Sequence, residues 1–218
     1  MQELLEFWGT WLPRLLSGLR LSAAVTATCL LIGIPMGLIL ALGTQAKSRV
    51  LRILSLGIVE IGRGAPALIL LQFAYFGLPT AGLALSSFAS ASLALAWCTG
   101  AYTSEIIRAG LDAVPAGQKE AAAAVGLTGF DALRFIILPQ GMRVSLPALL
   151  GFSILMLQAS SLCFSIALPE LVSQAYNVGS TTFRYMSILI LAGLLYAAVC
   201  IPATLVVGMM ERRLGKHA

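Results

Sequence analysis

Four stretches of this chain run without a charged side chain: Leu21–Ala46, Gly64–Ser104, Val144–Pro169 and Tyr185–Met210. Each reaches or exceeds the roughly 20 residues an α-helix needs to cross hydrocarbon. The second is long enough for two crossings, and the turn signal FGLPTAG (Phe76–Gly82) divides it. The pattern predicts five spans, at about residues 18–43, 53–77, 84–105, 140–166 and 185–210. Ahead of them Leu4, Trp8, Trp11, Leu12 and Leu15 recur at helical spacing, which predicts an amphipathic interfacial helix over about residues 1–17. A charged, alanine-rich segment at about 112–134 interrupts the apolar pattern. The expected architecture is an all-α integral membrane protein, one transmembrane domain over residues 1–218.

Composition agrees with the pattern. Hydrophobic residues make up 59% of the 218 positions and charged residues 11%, where soluble domains carry about a quarter. Mean hydropathy is +0.93. The basic residues divide unevenly between the two sets of loops. Lys47, Arg49, Arg52, Arg108, Lys119, Arg134, Arg143, Arg212, Arg213 and Lys216 fall on one side, and only Arg14, Arg20 and Arg184 on the other. The positive-inside rule then predicts a cytoplasmic C-terminus and an external N-terminus, and it accounts for the net charge of +5 without nucleic acid. The acidic start, with Glu3 and Glu6, predicts no cleavable leader.

Several chemistries have no residues to use. The one histidine is His217, so a histidine-based catalytic or metal centre within the membrane is not expected. Cys29, Cys98, Cys163 and Cys200 lie inside apolar runs without metal-ligand spacing and read as packing residues. The string GTQAKS (Gly43–Ser48) lacks the glycine that a phosphate-binding loop needs before its lysine. If ATP drives this protein, another chain binds it. An ion-coupled secondary transporter or channel subunit is the alternative, for which Glu60 is the one deep carboxylate and no inverted repeat is evident.

The segment from Asp112 to Gly126, DAVPAGQKEAAAAVG, predicts a short helix. Pro115 suits its first turn, the alanines favour helix, and Gly126 suits the residue just past its end. Thr128 then starts a second helix with Asp131 in a capping-box-like position, and Pro139 is expected to interrupt it where the chain re-enters the membrane. An alanine face lets a partner's groove approach the backbone closely.

Glu120-Ala121-Ala122, then Gly126, then Ile136-Ile137-Leu138-Pro139 reproduce the E-A-A-x3-G-x9-I-x-L-P signature of importer-type ABC permeases. With EIGRGAP (Glu60–Pro66), YFGLP (Tyr75–Pro79), GAYTSEIIRAGLDAVPAGQKEAA (Gly100–Ala122) and LPQGMRVSLPAL (Leu138–Leu149), the chain resembles the type I permease family for polar amino acids from about residue 17 to 175. The resemblance implies a bacterial inner-membrane subunit, five spans and a cytoplasmic coupling helix. It implies a second permease, identical or related, two cytoplasmic ATPase subunits that hold ATP and magnesium, and an extracytoplasmic solute-binding protein. Closure of the ATPases would move the coupling helices and reorient the bundle. By this analogy Lys119, Glu120, Ala121, Ala122 and Gly126 form the ATPase contact, with Gly126 in a left-handed turn.

The path for solute is less determined by sequence. Glu60 and Arg63, three apart on one helix face, are expected to pair, since each unpaired charge would cost about 2.5 to 3.5 kcal/mol in the membrane. The pair either touches solute or braces a kink made by Gly62, Gly64 and Pro66, and bracing is the favoured reading. Glu105 and Arg108 repeat the spacing, as a gate or a local bridge. Polar residues in apolar helices give candidate path residues: Gln72, Thr99, Tyr102, Gln158, Ser160 and Ser161. The chain departs from the family pattern at two places, with Gln158 for its lysine and Ala159 for its aspartate at the first. LQASSL (Leu157–Leu162) stands where the family shows L-K-D-T-S-L, and Cys98 replaces a common asparagine. Loss of the carboxylate argues against a cationic solute held by this subunit alone, because a buried cation needs a counter-charge. Either a partner permease supplies the polar groups, or the cargo is neutral or not a standard amino acid.

Overall fold

The computed structural model describes residues 2–214, so Lys216 and His217 lie outside the described part. Nine helices appear among those residues, and no strand. α1 runs from Gln2 to Thr44. α2 (Arg49–Gly64) and α3 (Ala67–Gln72) follow, then a π-helical turn at Phe73–Gly77 and a 3-10 turn at Leu78–Ala81. α4 spans Ser87–Asp112, α5 Ala116–Ala124 and α6 Gly129–Ala132. α7 (Leu138–Ala159) ends in a 3-10 stretch to Ile166, and α8 (Leu171–Thr182) and α9 (Tyr185–Leu214) complete the bundle.

The expected interfacial helix over 1–17 is not a separate element: it is the start of the 43-residue α1. Part of its apolar face is covered by protein, while Leu4 stays 39% exposed. Leu15 is fully buried in a cluster with Leu171, Val178 and Ile188, flanked by Phe7, Trp8 and Trp11. The Trp8 indole N–H donates to the Ser187 carbonyl at 3.2 Å and to its hydroxyl at 3.1 Å. Those contacts with α8 and α9 hold the first turns in line with the span.

The second crossing is broken, not merely kinked. α2 and the segment Ala67–Ala81 meet at 103°. Ala65 is forced into extended backbone (φ −81°, ψ 133°) because it precedes Pro66, and α2 stops there. Gly82, at φ +83°, closes the turn foreseen in FGLPTAG.

By length and composition Gln2–Thr44, Gly129–Ile166 and Tyr185–Arg212 can cross a membrane, and the bent pair α2–α3 can serve as a fourth span. α4 is long enough at 26 residues but is built from small and hydroxylated residues. It sits at the centre of the bundle against α1, α2 and α7, so smallness rather than lipid solubility is what its position requires. Gly33 and Gly37 of α1 form a small-xxx-small stripe on it. A Cβ at Gly33 would come 2.8 Å from the Ala96 carbonyl oxygen, and one at Gly37 3.0 Å from that of Gly100. Within lipid, where hydrophobicity does not drive helices together, such close backbone packing is a main source of association.

Pro139 does not interrupt the helix. A π-helical turn at Leu133–Ile137 comes just before it, and the helical path continues from Gly129 to Ile166. The wider turn accommodates a residue that lacks an N–H.

Replacing Gly33 with Val is expected to destabilise the α1–α4 contact by about 1 to 3 kcal/mol, the usual cost of overpacking. Thermal unfolding of the detergent-purified protein should show a lowered midpoint, with Gly9→Ala, which meets nothing within 4 Å, as the unaffected control.

Candidate functional site

Two regions carry the residues singled out from sequence. The first is the bend between α5 and α6. α5 ends in a Schellman arrangement: the Leu127 amide donates to the Ala122 carbonyl at 3.0 Å and the Gly126 amide to that of Ala123 at 3.0 Å. Gly126 takes φ +79°, the left-handed conformation its sequence position suggested. α6 starts as expected, since Thr128 Oγ1 accepts from the Asp131 amide at 3.2 Å and donates to the Asp131 carboxylate at 2.6 Å. Lys119, Glu120, Ala121 and Gly126 are exposed, whereas Ala122 is buried against its own chain. The tip also presents apolar side chains to the outside, with Val125 76% and Phe130 67% exposed.

The second region is a cavity of about 460 Å³ at the break between α2 and α3. Arg63, Gly64, Ala65, Pro66 and Ala67 form one wall, Cys98 and Tyr102 of α4 another, and Phe152, Leu155, Met156 and Ala159 of α7 the third. Tyr102 stacks on Phe152 with ring centroids 5.6 Å apart, and its hydroxyl donates to the Arg63 carbonyl at 3.3 Å. Two of the positions where the chain departs from the family pattern, Cys98 and Ala159, face this one space, whereas Gln158 does not line it.

Of the six path candidates, Tyr102 alone lines the cavity. Thr99 is fully buried beside it, donating to the Leu95 carbonyl at 2.7 Å and to Met156 Sδ at 3.1 Å. Ser160 is buried too; it donates to the Leu157 carbonyl at 2.6 Å and lies 3.4 Å from the Tyr196 hydroxyl. The Ser161 hydroxyl bonds back to the Gln158 carbonyl at 2.7 Å. Gln72 and Gln158 are exposed outside the cavity.

Charges run from the cavity toward the α5 end. Arg63 lies 3.9 Å from Glu60, the expected pair, and 3.7 Å from Glu105 of α4. Glu105 is bound more closely by Arg108, at 2.7 Å, and Arg108 also reaches Asp112 at 3.3 Å. The Glu60–Arg63 pair is therefore part of a five-residue ladder joining α2 to α4, a connection across helices that i,i+3 spacing cannot reveal.

Glu170 escaped the sequence reading. It is the only charged residue between Val144 and Phe183, and that isolation was the available signal. Its fully buried carboxyl caps α8, accepting from the Ser173 amide at 2.7 Å and the Val172 amide at 2.9 Å. The hydroxyls of Ser22 (α1) and Tyr196 (α9) each approach it at 3.4 Å. One carboxyl thus ties three helices together.

An all-helical bundle with a broken second crossing, an exposed α5–α6 bend and a cavity at the break has the build of a membrane permease subunit. Residues 33–216 match the model for the binding-protein-dependent transport system inner membrane component, and the chain belongs to that family. It is 32% identical to the arginine transport system permease protein ArtQ of Bacillus subtilis over 93% of each chain. It is 34% identical to the L-cystine transport system permease protein TcyB of the same organism, over 97% of this chain and 89% of the other. Its fold is similar to a chain of a solved amino acid ABC transporter crystallised with histidines, at TM-score 0.88 and 34% identity, covering 94% of this chain and 95% of that one.

Glu170→Leu would leave two amides and two hydroxyls without their acceptor. A loss of about 2 kcal/mol or more is expected, read as a lower unfolding midpoint, with Glu170→Gln losing less because it keeps one carbonyl oxygen.

Proposed function

We propose that this chain is the permease subunit of an ABC importer for amino acids or related small solutes, and that α5 is seated in a cleft of a separate cytoplasmic ATPase. The amino-acid assignment rests on the relatives, which are named for arginine and L-cystine transport. One observation carries the coupling role: the α5–Gly126–α6 bend leaves Val125 and Phe130 uncovered by their own chain. Exposed apolar side chains on a rigid, well-capped elbow mark a place for a partner. Ala122, being buried, supports the elbow from within, and Lys119, Glu120 and Ala121 form the outer contact.

In this reading the α5 end faces the cytoplasm, in keeping with the basic residues gathered there. ATP and magnesium are held by the ATPase pair. A second permease completes the path, and an extracytoplasmic binding protein delivers the cargo. Closure of the ATPases moves the α5 elbows, and the displacement passes along Gly129–Ile166 to the cavity wall at Phe152–Ala159, switching its access between the two sides of the membrane.

Gly126→Val places a β-branched residue at φ +79°, where the left-handed backbone costs about 1 to 2 kcal/mol for an ordinary L-residue. The variant should insert in the membrane and lose most ATP-dependent uptake in reconstituted vesicles. Undiminished uptake would exclude α5 as the coupling element. A preparation of the native assembly containing no ATP-hydrolysing chain would exclude the importer reading altogether.

A further inference from the structure

The junction of α1 and α2 holds three cations in six residues, Lys47, Arg49 and Arg52, within a stretch that has no acidic residue from Phe7 to Val59. All three are exposed, and none forms a salt bridge, a side-chain hydrogen bond or a ring contact with another described residue. Several other basic side chains are occupied within the chain. Arg14 donates to Gln174 at 2.7 Å, Arg63 and Arg108 belong to the charge ladder, and Arg134 and Arg184 lie over the rings of Phe135 and Phe7. The carboxylate that the junction does reach is already taken: Gln45 donates to Asp112 at 3.5 Å, and Arg108 binds Asp112 at 3.3 Å.

The same stretch carries an uncovered apolar surface. α2 buries only Ser55, Val59 and Gly62 against the bundle, while Val50, Leu51, Ile53 and Leu54 are each more than half exposed. Free cations interleaved with exposed aliphatic side chains suit a ligand that is anionic at one end and apolar at the other. An acidic soluble protein or a free phosphate would answer the charge and leave the aliphatic surface bare. A phospholipid answers both. Depth agrees, since the uncharged run of α1 ends at Ala46 and Lys47 therefore stands where hydrocarbon gives way to headgroups.

We propose that the α1–α2 junction is a binding site for an acidic phospholipid, with Lys47, Arg49 and Arg52 on its headgroup and Val50, Leu51, Ile53 and Leu54 against its acyl chains. The site rests on the importer reading above only for its leaflet, the cytoplasmic one. Because α2 is fastened to the bundle by so narrow a strip, lipid held at its first turn stabilises the whole helix.

The test uses the assembly purified with its partner chains and stripped of lipid in a non-ionic detergent. Dioleoyl-phosphatidylglycerol, dioleoyl-phosphatidylcholine and inorganic phosphate are titrated in turn, with thermal unfolding and retained phospholipid as readouts. Phosphatidylglycerol should raise the unfolding midpoint at concentrations about tenfold or more below phosphatidylcholine, because each cation at an acidic lipid surface adds severalfold to affinity. Inorganic phosphate should have no effect, and salt at about 0.5 M should reduce the preference severalfold. Lys47→Gln, Arg49→Gln and Arg52→Gln together should erase the preference and keep the phosphatidylcholine response, which reports that the variant is folded. Arg49→Lys with Arg52→Lys should retain it, as should Arg20→Gln, Arg134→Gln and Arg143→Gln together, an equal loss of charge at other sites. Equal response to the two lipids, a preference indifferent to salt, one that survives the triple variant or is lost equally in the charge-matched control, or a response to phosphate matching phosphatidylglycerol would each overturn the proposal. Loss of a partner chain from the triple variant with its lipid preference unchanged would also overturn it and mark the junction as a protein contact. The importer reading is scored separately, by whether an ATP-hydrolysing chain copurifies with the wild-type permease.

Discussion

Close approach of α1 to α4 is the contact on which the remaining arrangement depends. Lipid chains compete with leucine and valine for apolar surface, so a helix bundle in a membrane is held by how near its backbones can come and by buried polar groups. Gly33 and Gly37 on one side meet Ala96 and Gly100 on the other with no room for a Cβ. That contact fixes α4 at the centre, and α4 in turn brings Cys98 and Tyr102 to the cavity and Glu105, Arg108 and Asp112 to the ladder. Three buried clusters follow one another along α1, around Leu15, around Val25 and Cys29, and around Ala41. Two polar fastenings add to it: the Glu170 knot among α1, α8 and α9, and the charge ladder between α2 and α4.

Local features were legible in the sequence because they are decided by a few neighbouring residues. Pro115, Gly126 and Thr128 each act within a turn of the backbone, and the structure shows the short helix, the left-handed residue and the second cap at those positions. The family signature was legible for the same reason, being a spaced pattern on that bend. The turn between the second and third predicted spans was likewise marked by Pro79 and Gly82.

Features decided by tertiary packing were not legible. Whether the first residues lie on lipid or continue the span depends on α8 and α9, which come more than 150 positions later in the chain and cover Trp8 and Leu15. Pro139 announced a break, but a π turn ending two residues earlier absorbed it. Pro66 announced a bend without giving its size. Polarity within an apolar helix also proved a poor guide to the cavity: Thr99 and Ser160 bond within their own helices and to buried neighbours, whereas Cys98 and Ala159 line the open space. Which face a residue occupies is set by helix rotation, and a single sequence carries that information weakly.

The unbroken helical path from Gly129 to Ile166 has a mechanical corollary. The exposed elbow and the far wall of the cavity are thus joined by one helical path, along which bending would concentrate at the π turn Leu133–Ile137 and at Pro147. The opposite boundary of the same cavity is built on the 103° corner of α2 and α3, a joint rather than a strut. The two walls of the chamber therefore differ in build: one belongs to a continuous helical path, the other to a corner between two helices.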